Sequence, residues 1–171
     1  MNLQRLQNRF FALLFSRFPQ LTDRWLRRQN LETYGPPPWA QLRRPLSSCT
    51  VALVTTAGVH LQSDQPFNML DKEGDLTYRI VPHGTPHDRL CIIHDYYDHR
   101  DADKDLNIVF PLDRLEELAE EGIVGQAAPF HYSFMGHIDG RHISRLLSST
   151  APEVARRLKQ EQVDAVVLTP A

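Results

Sequence analysis

The chain is organised around one stretch, HDYYDHRDADKDLNIVFPLDRLEELAEEGIVG (residues 94–125). Its first part, residues 94–105, holds two histidines, two tyrosines and five aspartates, and a short apolar run follows at residues 107–110. A helical pattern then begins at Leu112. Titratable side chains at the mouth of a strand that feeds a helix are the usual layout of an α/β active site. The stretch therefore predicts an α/β fold and marks the first candidate site.

The helix predicted over residues 112–121 has an apolar face and an acidic face. Its leucines recur at helical spacing, Pro111 suits a first turn, and Gly122 is placed to end the helix. The remaining positions carry glutamates, which are most simply a solvated face: Glu116, Glu117, Glu120 and Glu121.

Other apolar runs in the chain have the length of strands. Residues 50–55 form a continuous apolar run, which is typical of a buried parallel strand, and residues 163–168 form another. Together with a strand at residues 90–94 they are expected to share one sheet. The sequence thus predicts a three-layer α/β domain with a mostly parallel sheet over residues 36–171. The remaining predicted elements are strands at 76–81 and 123–129, a polar loop at 131–137, and a helix at 152–160 with Thr150 as its cap.

Residues 1–35 predict an N-terminal appendage of two amphipathic helices broken at Pro19. Residues 1–45 hold eight arginines against Asp23 and Glu32, so the rest of the chain is acidic. We expect an electrostatic contact between this basic segment and acids later in the chain or on a partner. A membrane-surface anchor or a nucleic-acid arm is the sharper alternative, but helices packed on their own domain are far commoner.

Length and composition place the chain among ordinary globular proteins. A chain of 171 residues fits one domain with a sizeable core. Cys49 and Cys91 adjoin apolar runs and lack the spacing of a zinc or redox motif, so they are predicted to be small buried residues. No apolar run is long enough to span a bilayer, and the first residues lack a secretory cleavage site. We therefore expect a cytoplasmic, reducing setting.

Three interpretations of residues 94–105 stay open. Two His/Asp pairs spaced four apart would share a helix face and serve a transition metal if the segment were helical. A calcium loop is excluded, because Leu106 stands where glycine is needed and Leu112 where a bidentate glutamate belongs. In the second interpretation, the acids are loop residues that cap the backbone around Asn107 and the following helix. The third interpretation is a substrate pocket in which histidines handle protons near neutral pH.

We predict this pocket and assign no metal to it. It combines three loops near strand ends: residues 55–60, 94–105 and 131–135. The candidate substrate-binding residues are Thr55, Thr56, His60, His94, Asp98, Asp105, His131, Tyr132 and Met135.

Four motifs stand out along the chain: VALVTTAGVHL (51–61), the stretch at 94–125, HYSFMGHI (131–138) and APEVARRLKQEQVDAVVLTP (151–170). They resemble the selenoprotein B subunits of glycine, sarcosine, betaine and D-proline reductases and follow one another in the order that the family has. The resemblance runs from about residue 36 to the last residue, and the N-terminal helices lie outside it.

This resemblance implies an oxidoreductase that reductively cleaves a C–N bond of an amino acid or an N-methylated derivative, using a thiol/disulfide couple. A selenolate or thiolate attacks the substrate, and partner subunits of the reductase complex complete turnover. In the family the nucleophile comes shortly after the strand that corresponds to residues 163–168, and this sequence ends at Ala171. No catalytic residue or cofactor is therefore assigned within the chain.

Two explanations of the missing nucleophile follow. Either a selenocysteine codon beyond residue 171 was read as a stop, or the chain is a short homologue without the chemistry. The second explanation gives the alternative function, a non-catalytic small-molecule-binding or assembly module derived from the same family. We expect a small amino-acid-like substrate, possible partner subunits and no nucleic acid.

Overall fold

The computed structural model of the chain describes residues 3–18, 20, 36 and 40–171. The chain divides into two compact units, one of residues 1–41 with 95–98 and one of residues 42–94 with 99–171. Among the described helices, none is both long enough and apolar enough to cross a membrane.

The first unit contains helix α1 (Leu3–Arg17) and the acid Asp95. Arg9 Nε lies 3.0 Å from Asp95 Oδ1, and Arg5 pairs with the same carboxylate. Burial acts to raise the pKa of Asp95, but the two guanidinium groups outweigh it and hold the pKa below its usual range. Within the first unit, the basic segment thus pairs with an acid from later in the sequence. The predicted second helix falls largely outside the described residues.

The second unit is built on a sheet whose central strand is β1 (Thr50–Thr55). Strand β7 (Ala165–Thr169) pairs with it in parallel along one edge. Strands β5 (Gln126–Ala127) and β6 (Phe130–Phe134) pair with it in parallel along the other edge. Strand β3 (Tyr78–Pro82) adds antiparallel to β6. The prediction of an α/β fold with a mostly parallel sheet is confirmed.

A second, smaller sheet pairs β2 (Val59–Leu61) with β4 (Leu90–Ile92) in antiparallel fashion. The prediction that the strand at residues 90–94 shares a sheet with β1 is wrong. The chain turns sharply at Gly58 (φ 70°), and the Gly58 carbonyl accepts the N–H of Ile93 at 3.0 Å. A Cβ at Gly58 would lie 2.4 Å from the Ile93 carbonyl oxygen, so only glycine permits this approach.

One face of the main sheet is covered by helix α4 (Ala151–Gln160). Its buried Val154 and Leu158 share a hydrophobic cluster with residues of the sheet, namely Ala52, Ala128, Tyr132 and Phe134. The predicted helix is confirmed, but Thr150 does not cap it. A short helix, α3 (Arg141–Arg145), and a π-helical turn (Leu146–Thr150) lead directly into α4, so Thr150 is itself helical and makes no capping bond.

The opposite face of the sheet packs against the segment that contains helix α2 (Leu112–Glu120). Side chains alternate along a strand, so His131 of β6 points away from the Tyr132 side. The Phe110 ring meets the His131 ring edge-on, with centroids 6.1 Å apart. Leu112 and Leu115 of α2 are buried, as the apolar pattern predicts. The predicted apolar run before this helix forms a 3-10 turn (Leu106–Ile108).

His131 closes a gap in the backbone ladder of β1. β5 and β6 lie along one edge of β1 with a break between them, and the N–H of Leu53 falls in that break. His131 Nδ1 accepts this N–H at 3.1 Å. The prediction of a loop at residues 131–137 is wrong over residues 130–134, because their polar and apolar side chains alternate to opposite faces of a strand.

The bond from Leu53 requires a neutral imidazole with its proton on Nε2. His131 Nε2 is buried and has no hydrogen-bond partner among the described residues. Burial, with His83 as a lesser cause, lowers the pKa of His131 to about 4. Protonation would add a buried charge and remove the acceptor of Leu53.

We predict that acid destabilises the fold through His131. Because its pKa is lowered on folding, its contribution is complete above about pH 6.5 and is lost as the pH falls toward 4. The slope approaches about 1.4 kcal/mol of unfolding free energy per pH unit within that window. Urea unfolding between pH 4.5 and 7 should show this slope in the wild type and a smaller slope in His131→Gln, whose amide oxygen can still accept from Leu53. Equal slopes in both proteins would contradict the prediction.

Candidate functional site at the carboxyl edge of the sheet

The carboxyl ends of β1, β6 and β7 meet at one edge of the main sheet. Thr55 Oγ1 donates to the Val109 carbonyl at 2.8 Å and lies 3.3 Å from the Thr169 carbonyl oxygen. The N–H of Thr56 donates to that Thr169 oxygen at 3.1 Å. Ser133 stands beside Thr55 in the strand register. Ligands of open α/β sheets bind beyond the carboxyl ends of the strands, so this edge is the candidate site.

We call this set the carboxyl-edge site and define it as Thr55, Thr56, Ser133, Met135 and Thr169. Thr55, Ser133 and Met135 are fully buried, whereas Thr56 and Thr169 are partly exposed. The Ser133 hydroxyl is buried without a hydrogen-bond partner among the described residues. All five side chains are neutral. The set can therefore orient a polar ligand through hydroxyl groups, but it supplies neither a charge nor a nucleophile.

Two loops hold the carboxyl-edge site by direct backbone contact. The N–H of Gly58 donates to the Phe134 carbonyl at 2.9 Å, which ties the loop after β1 to the end of β6. Gly136 adopts a left-handed conformation (φ 91°), and a Cβ there would lie 2.3 Å from the Thr56 carbonyl oxygen. Close packing of this kind fixes backbone groups without relying on mobile side chains.

Of the predicted residues outside this set, His94 lies close to the loop after β1. A Cβ built at Gly58 would be 3.5 Å from the His94 Cβ, and His94 is buried. His60 belongs to the second sheet, where its Nδ1 lies 2.7 Å from the Leu61 carbonyl oxygen. Its ring also packs edge-on against Phe67.

Tyr132 and Asp105 make contacts elsewhere. Tyr132 points to the α4 side of the sheet, and its hydroxyl donates to Glu161 at 2.7 Å. Burial and the neighbouring Glu161 raise the pKa of Tyr132. Asp105 is exposed and accepts the N–H of Asn107 at 3.0 Å, and bonds to Asn107 lower the pKa of Asp105. Asp98 belongs to the first unit.

The acidic cluster at residues 94–105 forms turns, so the helical spacing that metal binding would need is not present. His99 pairs with Asp103 at 2.8 Å, and Lys104 pairs with Asp101 at 2.8 Å. These short-range contacts and the cap at Asp105 match the interpretation of the acids as loop residues.

The two cysteines do not provide a nucleophile in this arrangement. Cys91 borders a small cavity of about 130 Å³, but burial, with Asp64 as a lesser cause, raises the pKa of its thiol. Cys49 is fully buried, and its thiol lies 3.3 Å from the Pro45 carbonyl oxygen. A thiol that stays protonated is a poor nucleophile.

Within the part of the chain that the structure describes, one group of side chains has the spacing of metal ligands, namely Asp71, Glu73 and His142. Arg141 already pairs with both carboxylates of this group. These contacts link the loops at residues 71–74 and 136–142.

Comparison with known proteins identifies the family. Residues 37–171 match the family model described as glycine/sarcosine/betaine reductase selenoprotein B. The chain belongs to this family. The resemblance seen in the sequence is thereby confirmed.

Relatives of the selenoprotein B chain are subunits of named reductases. The chain is 41% identical over 134 residues to D-proline reductase subunit gamma of Acetoanaerobium sticklandii. This match covers 78% of this chain and 53% of the relative. It is 31% identical to glycine reductase complex component B subunit gamma of Symbiobacterium thermophilum and to betaine reductase complex component B subunit beta of Peptoclostridium acidaminophilum. Each of these matches covers 74% of this chain and 29% of the relative.

The chain thus spans about half the length of the first relative and under a third of the other two. No solved structure is significantly similar to it.

All five residues of the carboxyl-edge site fall inside the stretch that matches the selenoprotein B family. Sequence reasoning missed Ser133 and Thr169. The signal for Ser133 was its spacing of two from His131, which places both side chains on one face of a strand. Thr169 could have been found from its position at the end of a predicted strand.

We predict that the contact between Gly136 and Thr56 is rigid. Gly136→Ala and Gly84→Ala both place alanine in a left-handed conformation, but only Gly136 meets backbone atoms within 4 Å. Each variant should lose about 1–2 kcal/mol of unfolding free energy from backbone strain. Gly136→Ala should lose about 1–3 kcal/mol more from overpacking. Urea unfolding of both variants measures the difference in unfolding free energy. Equal losses would show that the loop at Gly136 moves to accommodate the added methyl group.

Proposed function

We propose that the chain forms the substrate-positioning part of a reductase that cleaves a C–N bond of an amino acid or an N-methylated derivative. The observation that carries this proposal is the carboxyl-edge site, which lies wholly within the family match. The named relatives act on D-proline, glycine and betaine. These compounds share a carboxylate and a nitrogen on the adjacent carbon, so a site for one group of atoms serves all of them.

In this proposal the chain's own residues bind and orient the carboxylate. Thr56 and Thr169 are partly exposed at this edge. Thr56 Oγ1 accepts the N–H of Ala171 at 3.2 Å and keeps its own proton for an anion, whereas the Thr169 hydroxyl donates to the Val54 carbonyl at 3.5 Å. Hydrogen bonds from neutral donors hold a carboxylate without forming an ion pair that must be broken on release. The buried Thr55 and Met135 exclude water from the floor of the site.

The attacking group comes from outside the described thiols. A selenolate or thiolate supplies this chemistry in such a reaction, because it is ionised at neutral pH and leaves readily. Neither Cys49 nor Cys91 fits the task, since one is fully enclosed and the thiol of the other has a raised pKa. We therefore place the chalcogen on a residue that is not among these 171 and that comes close to the end of β7.

Partners and location follow from the same proposal. The named relatives are subunits, two of them of component B of a reductase complex. We infer that this chain also works with partner subunits of a reductase complex. The free cysteines fit a reducing compartment, and we propose the cytoplasm.

A second candidate function is a non-catalytic binding or assembly module of the same family. The neutral character of the carboxyl-edge site and the protonated Cys91 thiol favour this candidate. Both functions share a ligand site, and they differ in whether a nucleophile reaches it.

We predict that the hydroxyl of Thr56 contributes to binding a carboxylate ligand. Thr56→Val keeps the shape of the side chain and should weaken binding of the preferred ligand roughly tenfold, the cost of a hydrogen bond to a charged group. Thr85→Val is the matched control, since Thr85 lies in a turn and bonds to the Pro82 carbonyl. Calorimetric titration with glycine, sarcosine, betaine and D-proline measures both variants. Equal affinities for the two variants, or no binding by the wild type, would contradict carboxylate binding at the carboxyl-edge site.

We also predict that the purified 171-residue chain does not reduce these four compounds with a dithiol donor, because no activated chalcogen is present. An in-frame UGA codon directly after codon 171, followed by an open frame, supports the reductase. A UAA or UAG codon there supports the binding module. Turnover by the chain alone would show that the nucleophile has been misplaced.

A further inference from the structure

Strand β7 has the sequence of a buried strand but the environment of a surface strand. Its residues, AVVLT, form an uncharged apolar run, a pattern found in parallel strands that are covered on both faces. In the structure Val166, Val167 and Leu168 are 37%, 44% and 72% exposed. The equivalent residues of β1, with a similar composition, are almost all buried.

The exposed side chains lie on both faces of the sheet. Val166 stands beside Ala52 in the register, so Val166 and Leu168 share the face covered by α4. Val167 stands beside Leu53 and faces the opposite way. Neither covering layer extends far enough to bury β7.

The outer backbone edge of β7 is also open. Thr56 donates its N–H to the Thr169 carbonyl at 3.1 Å, and Thr169 stands opposite Thr55 in the register, so the alternation of a parallel ladder turns the N–H groups of Val166 and Leu168 away from β1. In residues 40–171, β7 pairs with β1 alone. An apolar edge of this kind is a template for a further strand.

These observations specify what covers β7. A second copy that paired along the same edge would satisfy the backbone groups, but it would bring another strand with uncovered faces. Burial of Val166, Val167 and Leu168 on two faces needs a polypeptide that carries a strand together with its own flanking layers. That polypeptide is of the α/β type.

We propose that β7 is a docking strand for a second α/β segment of the reductase, equivalent to the part of D-proline reductase subunit gamma that this chain does not match. That relative has about as much chain outside the match as within it. Docking there places the added strand next to the carboxyl-edge site, because Thr169 at the end of β7 contacts Thr55 and Thr56. The proposal rests on the proposed function for the identity of the segment.

The test is co-expression of the 171-residue chain, carrying an affinity tag, with the unmatched polypeptide of that Acetoanaerobium sticklandii subunit. Leu168→Lys is compared with Leu70→Lys, since Leu168 and Leu70 are 72% and 70% exposed in the chain alone. We expect co-purification of the wild type and of Leu70→Lys. Leu168→Lys should weaken association at least about tenfold in sedimentation velocity, because docking would bury an unpaired charge.

Hydrogen exchange locates the contact. The N–H groups of Val166 and Leu168 should become protected only when the second polypeptide is present. Three results would overturn the proposal: no association, equal association of the two lysine variants, or protection of these amides by self-association of the chain alone. Because association is measured without substrate, its outcome is independent of the ligand titrations, and failure of one does not imply failure of the other.

Discussion

Every buried N–H and C=O group of β1 needs a partner, and this demand organises the second unit. β7 satisfies one edge of β1 along its whole length, whereas β5 and β6 share the other edge and leave a break. The imidazole of His131 fills the break by accepting the Leu53 N–H. At the centre of the sheet, a side chain thus accepts the hydrogen bond that a backbone carbonyl of a neighbouring strand would normally accept. The neutral state of that imidazole is a structural requirement and is not a sign of acid–base catalysis.

The same constraint explains the chemistry of the carboxyl-edge site. Three strands held in register deliver Thr55, Ser133 and Thr169 to one edge, and glycines at the following turns let the loop backbones touch. None of these groups is charged. The titratable residues that drew attention in the sequence are used elsewhere, in pairs such as His99 with Asp103 and in the cap at Asp105. In the proposed function the chain positions a ligand, and the reactive group is brought to it from outside these residues.

The sequence predicted the elements whose pattern is local. Strand β1 and helices α2 and α4 were predicted because their apolar positions recur with the period of a strand or a helix. Strand β6 was mistaken for a loop because polar His131 and Ser133 alternate with aromatic residues, and the bond from Leu53 to the buried His131 is a long-range contact. The partner of β4 also escaped prediction, since it is set by a backbone contact between Gly58 and Ile93. The family motifs indicated the function class, whereas Ser133 and Thr169 needed the register of the strands.

β1 and β7 have nearly the same pattern and opposite environments, which separates what a pattern encodes from what one chain can satisfy. A continuous apolar run is typical of a strand that has neighbouring strands on both edges and covering layers on both faces. For β1 all those neighbours lie within the 171 residues. Among the described residues, β7 has no neighbour on its outer edge and incomplete cover on both faces, and the exposed leucine and valines stand beside Thr169 of the carboxyl-edge site. The same contact that would bury Leu168 would also close the side of the site at Thr169, so docking at β7 and completion of the site would be one event.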